Sequence, residues 1–233
     1  MICAVIVAGG SGLRMQAPVK KQYLHLDGMP IVARTLMAFD GCTDLDRIVL
    51  VLPAPDLEGF RKDILLPLKL DHDVRLVAGG PNRQASVRNG LEKAGPSDGT
   101  VLVHDGVRPF VRVDLIRACL AGSEVSGACI PVITATDTVK QVDDSGVVVG
   151  TLGRNIIRLA QTPQTFTTGL IRRDHQLAFA KGFAATDDAS VAEFAGEQVH
   201  TVPGDPDNIK ITHPQDLSIA GAILSRWREK GMG

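Results

Sequence analysis

Cysteine is sparse in this chain and never suggestively spaced: Cys3, Cys42, Cys119 and Cys129 are scattered, with no C-x-x-C pair. Three of them lie in or beside apolar runs, so buried free thiols are expected rather than a redox or zinc motif. The six histidines are dispersed too, without H-x-x-x-H or another zinc spacing. Aromatics are few, seven Phe, one Tyr and one Trp, too few for a surface that stacks single-stranded nucleic acid. The formal net charge of −1 speaks against a general nucleic-acid or membrane-surface binder, so any functional positive charge has to be local. No apolar run approaches the ~18 residues of a membrane span. No charged-then-apolar leader precedes Ile2, and a soluble, reduced, cytoplasmic protein is expected. A Ser/His/Asp arrangement and a carboxylate pair suited to hydrolysis are also missing.

What the chain does have is aliphatic bulk, with 44% hydrophobic residues over 233 positions, enough for a substantial core. Short β-branched runs alternate with helical patterns. Strands are expected at Ile2–Ala8, Arg47–Leu52, Val74–Val77, Thr100–His104 and Gly127–Val132. Helices are expected at about Pro30–Phe39, Leu57–Leu66, Arg83–Ala94 and Val113–Ser123. This alternation predicts an α/β fold with a mainly parallel sheet covered on both faces, whose ligands bind beyond the carboxyl ends of the strands. At 134–156 the rhythm breaks: two strand-like runs flank Asp143-Asp-Ser-Gly146, a turn signal. A protruding β-hairpin arm is expected there, in one domain spanning 1–233. Beyond it the pattern predicts a strand near Ile156–Leu159, helices near Thr168–Lys181 and Asp187–Ala195, a strand near Val199–Val202 and a last helix from Pro214.

The first strand runs into Ala8-Gly-Gly-Ser-Gly-Leu-Arg-Met15, followed by Pro18-Val-Lys-Lys-Gln-Tyr23. Glycines let main-chain N–H groups close on phosphate oxygens, and Arg14 with Lys20 or Lys21 adds full positive charge. The loop is not a Walker sequence, which needs Gly-Lys-Ser/Thr. It also lacks the third glycine and the later acidic residue of the dinucleotide fingerprint. A plain tight turn is the bland alternative, but the adjacent cations favour a polyphosphate cradle.

Val101-Leu-Val-His-Asp-Gly-Val-Arg-Pro109 carries Asp105 to the same rim, where a carboxylate either shapes the turn or holds Mg²⁺ against phosphates. In Gly79-Gly-Pro-Asn-Arg-Gln-Ala-Ser-Val87, Asn82 reads as a helix cap, with Arg83 and Ser86 in the first turns. Asn208-Ile-Lys-Ile-Thr212 alternates like a strand and turns Lys210 away from the two isoleucines. Gln161-Thr-Pro-Gln164 is a polar, proline-fixed stretch, and Thr186-Asp-Asp-Ala189 reads as a helix cap. Glycines, cations, one or two carboxylates and no obvious nucleophile suit phosphoryl or nucleotidyl transfer, in which the substrate brings its own nucleophile.

Taken in order, these segments together with Lys21-Gln-Tyr23 and Asp137-Thr-Val-Lys140 resemble the 2-C-methyl-D-erythritol 4-phosphate cytidylyltransferase family over nearly the whole chain. The resemblance implies a Rossmann-like fold, a homodimer joined through the 134–156 arm with a shared active site, and a role in non-mevalonate isoprenoid synthesis. It implies that CTP and methylerythritol phosphate give the CDP-alcohol and pyrophosphate with Mg²⁺. Arg14 and Lys21 would stabilise the α-phosphate during attack, and Arg154 and Lys210 would position the substrate phosphate. The nucleotide would meet Ala8, Gly9, Gly10, Ser11, Gly12, Gly80, Arg83, Ser86, Asp105 and Gly106, with Asp105 as the metal ligand. The other substrate would meet Arg108, Thr138, Arg154, Thr162, Thr186 and Lys210, with Thr138 and Arg154 supplied by the partner's arm. The chain departs from the family in two places of consequence. Lys20 stands where a proline is common before the lysine, and Pro81 replaces an acidic residue.

Three rival readings share parts of this pattern. A ribitol 5-phosphate cytidylyltransferase shares the glycine loop, the HD-x-x-RP segment and the TPQ segment, whereas Asp137–Lys140 and Gly153-Arg-Asn155 favour methylerythritol phosphate. A sugar-nucleotide pyrophosphorylase shares the opening loop, but a chain this short is not expected to hold the extra C-terminal domain many of those enzymes carry. A non-catalytic nucleotide sensor would have little use for Arg14, Lys21, Asp105 and Lys210 together.

Overall fold

The computed structural model describes residues 1–10 and 20–231. The first strand, β1 (Ile2–Val7), leads towards the glycine loop. After a 3-10 turn at Lys21–Tyr23, a small hairpin of β2 (His25–Leu26) and β3 (Met29–Pro30) precedes α1 (Ile31–Asp40). Asp27 and Gly28 take positive φ at its tip, the conformation a two-residue Asp-Gly turn favours. Next come β4 (Arg47–Leu52) and α2 (Leu57–Phe60), which passes through a π-helical stretch at Arg61–Leu65 into α3 (Leu66–Leu68). Then follow β5 (Val74–Ala78), α4 (Arg83–Leu91), β6 (Thr100–Asp105), α5 (Val113–Ser126) and β7 (Ala128–Thr134). The hairpin β8 (Val139–Val142) and β9 (Val148–Leu152) is followed by β10 (Arg158–Ala160), β11 (Gln164–Thr167), α6 (Thr168–Ala180), α7 (Asp188–Phe194), β12 (His200–Pro203) and α8 (Pro214–Glu229).

The main sheet runs β10-β7-β11-β6-β1-β4-β5, with β12 on the other edge of β7. β1 pairs in parallel with β4 and β6, and β4 with β5. This is the expected Rossmann-like, mostly parallel sheet with helices on both faces. It has one unexpected strand: β11 enters antiparallel between β6 and β7. Its sequence, Gln-Thr-Phe-Thr, is polar and follows a proline, so hydrophobic periodicity does not announce it.

Because strand side chains alternate, the central strands split cleanly between two cores. Ala4, Ile6, Ile48, Leu50 and Leu102 pack with Leu36 and Phe39 of α1 and Ile116 of α5. Cys3, Val5, Val49, Val51, Val101 and Val103 pack with Val87 of α4, Ile171 of α6 and Val191 of α7. A smaller cluster seats α8 through Ala220, Ile223 and Leu224 against Phe110 and Ile211. All four cysteines are buried free thiols, and burial raises the Cys3 thiol to about 12. Among the described residues no helix is long and apolar enough to cross a membrane.

The 208–212 segment is not the expected strand. It is irregular, its apolar alternation arising because Ile209 and Ile211 pack on the α8 cluster. The arm, by contrast, matches expectation: β8 and β9 pair antiparallel in a sheet of their own.

Candidate active site

The carboxyl ends of β1, β5 and β6 open on one rim and wall a cavity of about 420 Å³. Ala8, Gly9, Gly10, Lys21, Gly80, Arg83, Ser86, Asp105 and Lys210 all line it. Ser11, Gly12 and Arg14 lie outside the described residues.

Local sequence explains each wall. Asn82 caps α4, its side-chain oxygen accepting from the Ala85 N–H at 2.8 Å. The Ser86 hydroxyl folds back, donating to the Asn82 carbonyl at 2.8 Å and accepting from the Gly80 N–H at 3.0 Å. A side chain at position 80 would drive a Cβ to 2.5 Å from that of Ala85, so only glycine lets this turn approach the helix. Gly106 is different. It does not line the cavity; its N–H donates to the Val7 carbonyl at 2.9 Å, and a Cβ there would meet Ala8 at 2.8 Å. Its contribution is to seat β6 tightly beside β1.

The sequence leaves open which lysine faces the ligand. Lys20 donates to both oxygens of Asp56 at 2.7 Å, while Lys21 is the lysine that lines the cavity.

Charge concentrates on Asp105. Its Oδ1 accepts from Arg83 at 3.2 Å, and its Oδ2 faces Lys210 at 2.9 Å and Arg108 at 3.4 Å. Burial alone would raise this carboxyl, but Arg83, Lys210 and Arg108 hold it well below the usual carboxylate range. Arg83 also reaches Asp188 at 2.8 Å, and Asp188 contacts His175 at 3.1 Å. Burial opposes the charge on Arg83, yet Asp188 and Asp105 raise its pKa above the ordinary value. Behind Asp105, His104 Nε2 lies 3.1 Å from the Arg108 carbonyl, which can only accept, so Nε2 carries the hydrogen. Its Nδ1 therefore accepts from the Thr162 hydroxyl at 2.9 Å, and that hydroxyl oxygen in turn accepts from the Asp105 N–H at 3.2 Å. Burial holds His104 neutral, with a pKa of about 3.

A second cavity of about 230 Å³ adjoins the first. Arg83, Asp105 and Lys210 line both, and the second adds Arg108, Thr162 and Thr186. The remaining candidates, Thr138 and Arg154, line neither. Both belong to the arm region, where Arg154 is exposed and donates to the Thr136 carbonyl at 2.8 Å.

Sequence reasoning missed Asp188 and two glutamines. Asp187 caps α7 within the expected cap segment Thr186-Asp-Asp-Ala189, but the next residue, Asp188, is wholly buried and clamps Arg83. Gln164 accepts from the Asp188 and Ala189 N–H groups at 2.9 Å, fixing the start of α7. Gln161 donates to the Asp205 carbonyl at 2.8 Å. The repeated glutamines of Gln161-Thr-Pro-Gln164 were the available signal.

Strand-end glycines, a capped helix and a cationic rim around one carboxylate define an α/β nucleotidyltransferase. The sequence profile described as IspD, 2-C-methyl-D-erythritol 4-phosphate cytidylyltransferase, matches residues 2–226, and the chain belongs to that family. It is 43% identical over 225 residues to the 2-C-methyl-D-erythritol 4-phosphate cytidylyltransferase of Geotalea uraniireducens, covering 96% of each chain. The enzyme of the same name from Syntrophus aciditrophicus is 42% identical, with 97% of this chain and 96% of that one covered. A solved 4-diphosphocytidyl-2C-methyl-D-erythritol synthase from Anaerococcus prevotii superposes with a TM-score of 0.85 at 36% identity, covering 97% of this chain and 98% of that one. The Francisella tularensis 2-C-methyl-D-erythritol 4-phosphate cytidylyltransferase gives 0.81 at 31%, covering 96% and 99%.

Proposed function

We propose that the chain transfers the cytidylyl group of CTP to 2-C-methyl-D-erythritol 4-phosphate, making 4-diphosphocytidyl-2-C-methyl-D-erythritol and pyrophosphate in the methylerythritol phosphate route to isoprenoid precursors. The observation that carries this reading is the pair of adjoining cavities with one shared wall, Arg83, Asp105 and Lys210. Two phosphorylated reactants need neighbouring anion sites that meet where the bond forms.

The larger cavity takes the nucleotide. Ala8, Gly9, Gly10, Ser11 and Gly12 bind the triphosphate, and Gly80, Arg83 and Ser86 serve the base side. The smaller takes the alcohol phosphate beside Arg108, Thr162, Thr186 and Lys210. An oxygen of that phosphate attacks the α-phosphorus, a new P–O bond forms, and the bond to the β-phosphate breaks in line. Pyrophosphate carries away the electron pair, and no protein nucleophile or proton transfer is required. Arg14 and Lys21 stabilise the extra charge on the α-phosphate as it becomes crowded.

Mg²⁺ is part of the same reading. Among the described residues no group of three or more His, Cys, Asp or Glu could cage a metal, and both Asp105 oxygens are ion-paired. Asp105 would help to hold an ion that the triphosphate also binds, the usual habit of Mg²⁺. When bound it would offset phosphate charge.

The homodimer belongs to the same proposal. Val147, Val148, Val149 and Ile156 of the arm are each more than half exposed, apolar side chains that a second copy would cover. That copy's Thr138 and Arg154 would then complete the smaller cavity, in a cytoplasmic enzyme.

Pyrophosphate release, measured for a panel of nucleoside triphosphates against methylerythritol phosphate and ribitol 5-phosphate, tests the assignment. CTP with methylerythritol phosphate is expected to turn over fastest, and faster ribitol phosphate turnover refutes the choice. Arg14→Ala and Lys21→Ala should each lower kcat by roughly 10²–10³-fold with little change in CTP affinity.

A further inference from the structure

Lys21 lies in the short 3-10 turn Lys21–Tyr23, with Lys20 as its N-cap. The Tyr23 N–H donates to the Lys20 carbonyl at 2.9 Å, so the turn brings these two residues together. Lys20 and Tyr23 accordingly meet on one carboxylate. Lys20 donates to both Asp56 oxygens at 2.7 Å, and the Tyr23 hydroxyl donates to Oδ2 at 2.8 Å. Asp56 closes the turn that follows β4, so the sheet itself supports this anchor. Tyr23 is further held by packing on the core next to Phe60, with ring centroids 6.3 Å apart. On the other side, buried Gln22 donates to the Gly10 carbonyl at 3.4 Å. With residues 20, 22 and 23 held in this way, the turn between them places Lys21 on the nucleotide cavity, which Gln22 also lines.

We infer that Asp56 is a positioning residue for Lys21: by clasping Lys20 and Tyr23 together it fixes the turn that aims the lysine at the α-phosphate. The inference rests on the proposed action of Lys21. Asp56 itself does not line either cavity of the site, and acts through the turn alone. Lys20 has φ −58°, a value that proline adopts without strain, so a ring at this position can restrict the turn covalently where the ion pair is missing.

The test measures kcat and KM for CTP in Asp56→Asn, Lys21→Ala, their double variant, and Asp56→Asn with Lys20→Pro. Asp56→Asn is expected to lower kcat about 10-fold through misalignment while KM for CTP stays within about twofold. In the Lys21→Ala background it should cause no further loss, since residues acting as a unit are not additive. Adding Lys20→Pro should restore most of the lost turnover. The inference is overturned if Asp56→Asn turns over like the native enzyme, if its loss persists undiminished in the Lys21→Ala background, or if Lys20→Pro restores nothing. Should Asp56→Asn fail to fold, Lys20→Gln, which breaks the same ion pair at the surface, is read by the same criteria. Full turnover in Lys21→Ala alone would instead bring down the proposed role of Lys21.

Discussion

Replacing Asp105 by Asn removes one negative charge from the middle of three cations and changes almost nothing in volume. Arg83, Arg108 and Lys210 lie 3.2, 3.4 and 2.9 Å from its oxygens. With charge centres about 4 Å apart and an effective dielectric of about 20, one such pair contributes about 4 kcal/mol before desolvation. Lys210, with a side chain about one-third exposed, contributes less because solvent screens it. The desolvation cost of the remaining cations is not recovered when the carboxylate goes, and the cations then repel one another. Breaking a buried ion group from one side costs about 3–5 kcal/mol, which for a chain of this size lowers Tm by about 10 °C. Thermal unfolding of native and Asp105→Asn protein, monitored by circular dichroism at pH 7 without nucleotide, measures the shift. Adding inorganic pyrophosphate should recover more Tm in the variant than in the native protein, because the anion supplies the missing charge. A Tm within 2 °C of native would mean that solvent already screens these cations, and the account of Asp105 as their common counter-ion would fail.

Stability should also fall early in acid. Folded His104 has a pKa of about 3, whereas the unfolded chain binds that proton below about 6.5. The stabilisation is complete above the unfolded value and is lost as pH falls towards 3, at up to about 1.4 kcal/mol per pH unit. Asp105 and Asp188, whose carboxyls burial would raise but neighbouring cations hold low, add a loss beginning near pH 4. Urea midpoints at pH 7, 5.5 and 4.5 should decline steadily; a flat profile between 6.5 and 4.5 contradicts the neutral, buried His104. For the shared site, inactive Arg154→Ala and Lys210→Ala proteins mixed one to one and allowed to exchange subunits should regain about a quarter of native turnover. Half the dimers are then mixed, and each holds one intact site; no recovery would make each site self-contained.

The parallel strands and their helices were legible because each carries its own period. Ile2–Val7 is apolar throughout and Arg47–Leu52 is so after its first residue, as strands buried on both faces must be, and glycines beyond β1 and β5 and Asp105 on β6 mark strand ends. The candidate site was legible for the same reason: in such a sheet the strand ends share a rim, so Gly80, Asp105 and the opening loop had to converge. What escaped was set by tertiary contact. β11 is polar yet buried, because Gln164 spends its side chain on the α7 N–H groups and not on solvent. Lys210 faces the site from irregular chain, its alternating isoleucines reporting α8 and not a sheet. Asp188 looked like half of a helix cap, since nothing local separates it from Asp187.

Asp187 and Asp188 act over very different spans of sequence. Asp187 accepts from the Ser190 N–H at 3.0 Å and closes a capping box, a local task any sequence can advertise. Asp188, one residue on, spans 105 positions of sequence to hold Arg83 at 2.8 Å. Arg83 thus sits between two carboxylates, Asp105 on the ligand side and Asp188 behind it. An arginine with one partner could follow that partner when a phosphate or a metal ion competes for it. Held from behind as well, Arg83 keeps one carboxylate partner even where its ion pair with Asp105 is broken. The burial of Asp188 and the ion pairing of Asp105 therefore serve one arrangement, in which Arg83 in the shared wall of the two cavities is held from both sides.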